Sequence, residues 1–182
     1  LEQDKGQYDD ITPIFWASGA CFFVRKRAYR EVDGLDEIFF THQEEIDLCW
    51  RLQLKGGTIK YIGKSTVYHI GGATLSSYNS KKTFYNFRNS LLMLLKNVGS
   101  SKIYLLLIIR LILDGLVGLQ FLIQGKWKHS LAIIKAHFSF YRLIPTYLKK
   151  RNNNKTQFKY YHIKSIVWNY FIRKNRTFKE LK

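Results

Sequence analysis

The sequence predicts an α/β part followed by α-helices that associate with a membrane, and three observations carry that reading. β-prone runs at 14–25, 58–62 and 65–70 alternate with helical patterns at 26–32 and 43–55. Residues 103–123 form an apolar run whose only charges are Arg110 and Asp114. Charge is divided unevenly: residues 1–50 hold 5 Lys+Arg and 11 Asp+Glu, and residues 51–182 hold 25 and 2, for a net charge of +17. Such asymmetry predicts two parts with different partners.

Composition narrows the classes further. With 46% hydrophobic and 16% aromatic residues the chain is too apolar to stay disordered despite its charge. Two cysteines, Cys21 and Cys49, exclude a disulfide scaffold or a Cys-rich zinc site and point to a reducing compartment. The chain opens on Leu1 with polar, acidic residues and no signal peptide, and its one methionine is Met93, so a C-terminal piece of a longer protein is expected.

The elements follow in order. Residues 14–25 (IFWASGACFFVR) read as a buried strand interrupted by a loop at Ser18-Gly19. A short helix over 26–32 ends at the Asp33-Gly34 turn. In the helix over 43–55, Ile46, Trp50 and Leu54 share a face at i, i+4 and i+8, and Gly56-Gly57 ends it. Residues 58–62 and 65–70 alternate as a hairpin about Gly63-Lys64. Residues 82–97 are amphipathic. The 103–123 run would be roughly 30 Å long as a helix, the thickness of a bilayer core. A further helix covers 127–148, where Pro145 is expected to bend or end it. Lys128, Lys135, Arg142 and Lys149 recur every seven residues along it as a basic stripe. The division expected is therefore 1–80, 81–150 and a basic, aromatic tail at 151–182.

Three carboxylates, Glu44, Glu45 and Asp47, open the helix over 43–55. The bland reading is that they complement the positive end of the helix dipole. The functional reading is that such carboxylates, with an imidazole such as His69 brought near by the hairpin, hold a divalent ion or take a proton from a sugar hydroxyl.

Ser18-Gly19-Ala20-Cys21, Val32-Asp33-Gly34-Leu35-Asp36-Glu37, Glu44-Glu45-Ile46-Asp47-Leu48-Cys49-Trp50-Arg51 and Val67-Tyr68-His69-Ile70-Gly71-Gly72 together resemble the C-terminal half of a family 2 glycosyltransferase, of the rhamnosyltransferase-like kind that assembles bacterial polysaccharides. The resemblance covers roughly residues 12–97 and continues into a membrane-associated tail through Arg110–Gly115. It implies the C-terminal part of a GT-A (Rossmann-like) domain. The implied enzyme transfers a sugar, with inversion, from a nucleotide-diphosphate donor to a saccharide or lipid-linked acceptor.

By the same resemblance the family's Glu-Asp pair falls on Glu44-Glu45, with Glu45 the base and Asp47 its alternative. His69 falls on the residue that helps bind a divalent metal (Mg or Mn). Trp16, Ser18 and Gly19 fall in the substrate pocket. Arg51 lies on the substrate side too, although a salt bridge ordering the acidic cluster is the stronger expectation for it. The family's Asp-x-Asp motif is absent from these 182 residues, so the piece alone is expected to be inactive.

The basic half predicts contact with an anionic membrane surface at the cytoplasmic face of a bacterial cell membrane, peripheral or integral. The 103–123 helix is expected to pack with 127–148 in or on that leaflet, with spanning as the other arrangement. The alternative function is a basic membrane-surface or nucleic-acid-binding module without catalysis. No nucleic-acid motif occurs, and nucleic acid is not the expected partner.

Overall fold

The computed structural model describes residues 3, 5–69, 79–151, 160, 161, 163, 165, 166, 168–177 and 180. Strand β1 (Ile11–Pro13) leads through an extended segment to α1 (Lys26–Glu31), a 3-10 turn (Glu37–Phe39) and α2 (Glu44–Leu54). Strand β2 (Lys60–Ile62) follows, then α3 (Ser80–Asn97), α4 (Ile103–Ile123), α5 (Trp127–Lys150) and a π-helical turn at Trp168–Ile172. The α/β character is thus carried by a small antiparallel ladder, with Ile11 opposite Ile62 and Pro13 opposite Lys60, beside a mostly helical body.

Two expected strands are not present as such. In 14–25 no ladder forms: Phe15 and Ala17 hydrogen-bond to α2, and the chain turns at 19–20 with Cys21 N–H donating to Ser18 O. Residues 65–69 are likewise not a strand, and Ile70 lies outside the described residues. Gly63 packs against the Tyr8 carbonyl and the Asp9 backbone, where a Cβ would not fit. The turn after β2 therefore packs on the segment leading into β1, and β2 pairs with β1 instead of with the residues that follow it.

The helices match their periodicity closely. Helix α2 ends in a Schellman arrangement, with Gly57 N–H donating to Leu52 O and Gly56 N–H to Gln53 O, both at 2.9 Å. Gly56 supplies the left-handed residue this cap needs, at φ 84°. The same cap at Gly125 (φ 71°) turns α4 directly into α5. Pro145 does not end α5: the helix runs on to Lys150, beyond the expected end at 148. Proline removes one N–H bond, and the buried contacts of Phe140 and Tyr147 on either side hold the helix together.

One hydrophobic core joins the acidic segment to the helices. Phe39 and Trp50 pack with Leu91, Leu92 and Leu95 of α3 and with Phe140 and Tyr147 of α5. Phe39 meets Tyr147 edge to face at 6.1 Å, and Trp50 meets Phe15 at 5.2 Å. Each such buried aromatic pair contributes about 0.5–1.5 kcal/mol beyond area burial.

Candidate functional site

The loop at 15–19 lies along one face of α2. Glu45, Cys49 and Gln53 are i, i+4 and i+8, and they meet Gly19, Ala17 and Phe15 in reverse order. Gln53 Nε2 donates to Phe15 O at 2.5 Å, Ala17 N–H points at Cys49 Sγ at 3.5 Å, and a Cβ on Gly19 would sit 3.9 Å from the Glu45 side chain. The match is geometric: two strand-like residues advance about 6.6 Å and four helical residues advance about 6 Å. This arrangement sets Trp16 and Ser18 on a cleft of about 1030 Å³, whose α2 wall is Leu48, Cys49 and Leu52. Glu44 and Glu45 are not in its lining; Glu45 stands one turn before Cys49 on the same helix face.

Glu44 and Glu45 occupy the first turn of α2, where helix polarity favours negative charge. One carboxylate oxygen of each, together with His42 Nε2, is buried without a hydrogen-bond partner. Burial pushes the Glu44 carboxyl above its ordinary range, and the neighbouring Glu45 charge adds to this against a lowering backbone hydrogen bond. Burial and the Lys82 charge hold the His42 imidazole below its usual value, against the pull of Glu45.

Asp47 is in a different environment. It is fully buried and accepts from Arg51 Nε at 2.8 Å, from Lys96 Nζ at 2.9 Å and from Asn97 Nδ2 at 2.7 Å, so both its oxygens are engaged. Lys96 also bonds Asp36, which accepts from Lys150 as well. Arg51 spends its remaining donors on the carbonyls of Val32 and Gly34. Lys96, Asn97 and Lys150 were not legible as members of this cluster, because only the fold brings α3 and α5 beside α2.

His69 is exposed, in a segment without regular structure, and no hydrogen bond or ion pair joins it to the acidic cluster among the described residues. Gly71 and Gly72 lie outside those residues. Among the described residues no group of three or more His, Cys, Asp and Glu side chains converges as a metal site. The described residues therefore do not fit a bound Mg or Mn by themselves.

A family profile, Glycosyl transferase family group 2, matches residues 9–148. The chain belongs to this family. The match runs from β1 to the last turns of α5, so the helical body of this glycosyltransferase chain is part of the family's own sequence. Over 57 residues the chain is 39% identical to N-acetylglucosaminyl-diphospho-decaprenol L-rhamnosyltransferase of Mycobacterium tuberculosis, a stretch covering 31% of this chain and 19% of that protein. It is 30% identical over 83 residues to Rhamnosyltransferase WbbL of Escherichia coli K12, covering 46% and 31%. It is 32% identical over 72 residues to Pre-mycofactocin glycosyltransferase of Mycobacterium tuberculosis, covering 40% and 15%. The matched stretch thus spans between about a seventh and a third of these relatives. No solved structure matches the chain.

Away from the acidic cluster, the glycosyltransferase chain carries a large apolar surface. Helix α4 is long and apolar enough to cross a membrane, with only 11% of its most apolar window buried. Its charged pair is turned inward: Asp114 is buried, Arg110 Nε donates to it at 2.8 Å, and His137 of α5 lies 3.4 Å from its other oxygen. The outer face shows Leu105, Ile108, Ile112, Leu116, Leu119 and Ile123. Helix α5 adds Trp127, Leu131, Ile134, Phe138 and Tyr141, and the exposed Lys128, Lys135, Arg142 and Lys149 run alongside.

Proposed function

We propose that this chain supplies the acceptor side of a sugar-transfer reaction, with Glu45 as the base. Glu45 accepts the proton of an acceptor hydroxyl, the hydroxyl oxygen bonds the anomeric carbon of a nucleotide-diphosphate sugar, and the bond to the diphosphate breaks on the opposite face with inversion. The observation that carries the choice is the contrast between two carboxylates. Glu45 keeps an unpaired oxygen in the first turn of α2, and both oxygens of Asp47 are engaged. A fully buried carboxylate already holding a lysine, an arginine and an amide is not open to a substrate hydroxyl. Glu44 sits beside the base, its carboxyl pushed above its ordinary range by burial, with the Glu45 charge adding to the shift.

Trp16 and Ser18, which border the cleft, and Gly19, which lies against Glu45, are assigned to the sugar substrates; Arg51 is assigned to ordering Asp47 and the 32–34 turn. The divalent metal and the diphosphate belong on the side of His69, but the described residues carry no step through a metal. The decaprenol in one relative's name supports a lipid-linked acceptor. So does the exposed face of α4 and α5, which suits the cytoplasmic leaflet of a bacterial membrane with the α5 basic stripe on anionic headgroups. Turnover of Glu45→Gln in the full-length protein tests this reading: it should fall by about 10²–10⁴ with donor binding kept.

A further inference from the structure

The loop that delivers Glu44 and Glu45 is strained, and two adjacent residues of α3 hold it. Phe40 has φ 60° and ψ −54°, and Thr41 N–H donates across it to Phe39 O at 2.6 Å, a γ-turn of the rare positive-φ kind. His42 (φ 66°) and Gln43 (φ 76°) then take up left-handed conformations with no glycine to ease them. Three such residues within four, immediately before a pair of functional carboxylates, need an external restraint to persist.

That restraint converges on one atom. Asn89 Nδ2, on a fully buried side chain, lies 2.9 Å from Phe39 O, 2.8 Å from Thr41 O and 2.7 Å from His42 O. The loop wraps three carbonyls around it. Arg88 completes the arrangement: its Nε donates to Asn89 Oδ1 at 2.9 Å, which fixes which end of the amide faces the loop, and its Nη2 donates to Ile38 O at 2.6 Å. Gln43, the residue before α2, makes no side-chain cap. The direction in which α2 begins is thus set by Asn89 and the carbonyls, with no capping side chain from Gln43.

We infer that Asn89 is a positioning residue for the carboxylates at the start of α2, with Arg88 orienting its amide. This rests on the proposed role of Glu45 and adds a cause for its placement. Both residues sit on α3, inside the helical body that carries the membrane-facing surface. The helices therefore set the geometry of the proton-accepting group as well as presenting an apolar face.

A double-mutant cycle in the full-length protein tests the inference, with kcat and the KM for donor and acceptor measured for Asn89→Ala, Glu45→Gln and the pair. A displaced base costs about 10- to 100-fold in kcat. Asn89→Ala should lose that much with donor KM held within about twofold, and should cost almost nothing further on top of Glu45→Gln. A merely structural role would lower both backgrounds alike, so losses that multiply overturn the inference, as does near-normal kcat in Asn89→Ala. If Asn89→Ala does not fold, Arg88→Lys, which keeps the charge and loses the fork onto Asn89 and Ile38, is put through the same cycle with the same two readings. Near-normal turnover in Glu45→Gln beside a loss in Asn89→Ala would overturn the choice of base and leave the clamp supported.

Discussion

Gly19 lies against Glu45, close enough that an added Cβ would stand 3.9 Å from the Cβ, Cγ and Cδ of that side chain. The contact joins the Ser18-Gly19 loop to the first turn of α2 and leaves room for a methyl group. Gly19→Ala should keep the fold and most activity, because 3.9 Å is ordinary van der Waals distance. Gly19→Leu should push the Glu45 carboxylate aside and lower kcat by about tenfold or more with little change in stability. Kinetics and thermal melts on the two variants check this.

Asp47 should behave as a structural carboxylate. Replacing it by Ala leaves Lys96 and Arg51 without their shared partner in a buried interface, and removing one side of such a pair costs about 3–5 kcal/mol. Denaturant unfolding should show this loss for Asp47→Ala. The double variant Asp47→Leu with Lys96→Met should recover part of it, because it removes the buried Lys96 ammonium as well, while Asp36 keeps Lys150 and Arg51 keeps the carbonyls of Val32 and Gly34.

Stability should fall in acid through Asp36. Burial alone would raise its carboxyl, but the hydrogen bonds and charges of Lys96 and Lys150 outweigh that and hold it below its ordinary value of 3.8. A carboxylate depressed on folding contributes stability above its unfolded pKa and loses it as pH drops through the folded value. Unfolding free energy should therefore decline below about pH 4, and Asp36→Asn should flatten that decline. Glu44 has the opposite sign: its raised carboxyl costs stability as pH climbs past its ordinary 4.5, so Glu44→Gln should stabilise the fold at neutral pH.

Membrane binding should depend on both faces of α5. Changing Lys128, Lys135, Arg142 and Lys149 to Gln should weaken binding to anionic vesicles by about 1 kcal/mol per residue at low salt and change binding to neutral vesicles little. Changing Leu131, Ile134 and Phe138 to Ser should weaken both. Vesicle flotation separates the two outcomes, and equal binding of all variants would contradict the assigned orientation.

What was legible in the sequence was whatever depends on local periodicity. The 103–123 helix begins and ends where its apolar run does, and Gly56 and Gly125 mark their helix ends because a left-handed cap needs them. The misread strands share a cause: Ile14–Arg25 and Ser65–His69 have strand-like patterns, but a strand exists only with a neighbour, and neighbours are set by the fold. Pro145 does not end α5, because local sterics say nothing of Phe140 and Tyr147 in the core on either side. In the site, the acidic group was visible as charges at a helix start. Arg51, one turn on, was visible as a local partner for Asp47, but Lys96 and Asn97, which complete its engagement, come from some fifty residues away and were not. Asn89 was invisible too: one asparagine in an amphipathic helix gives no sign that three carbonyls will close on it.

The most direct test of the account compares Glu45→Gln with Asp47→Asn in the full-length protein, reading single-turnover sugar transfer at saturating donor alongside melting temperature. Both changes keep side-chain shape and remove a carboxylate. The account predicts that Glu45→Gln melts like the parent and transfers sugar about 10²–10⁴ more slowly, and that Asp47→Asn melts lower and keeps much of its transfer rate in the folded fraction. Near-parental transfer by Glu45→Gln, with transfer abolished in fully folded Asp47→Asn, would contradict it.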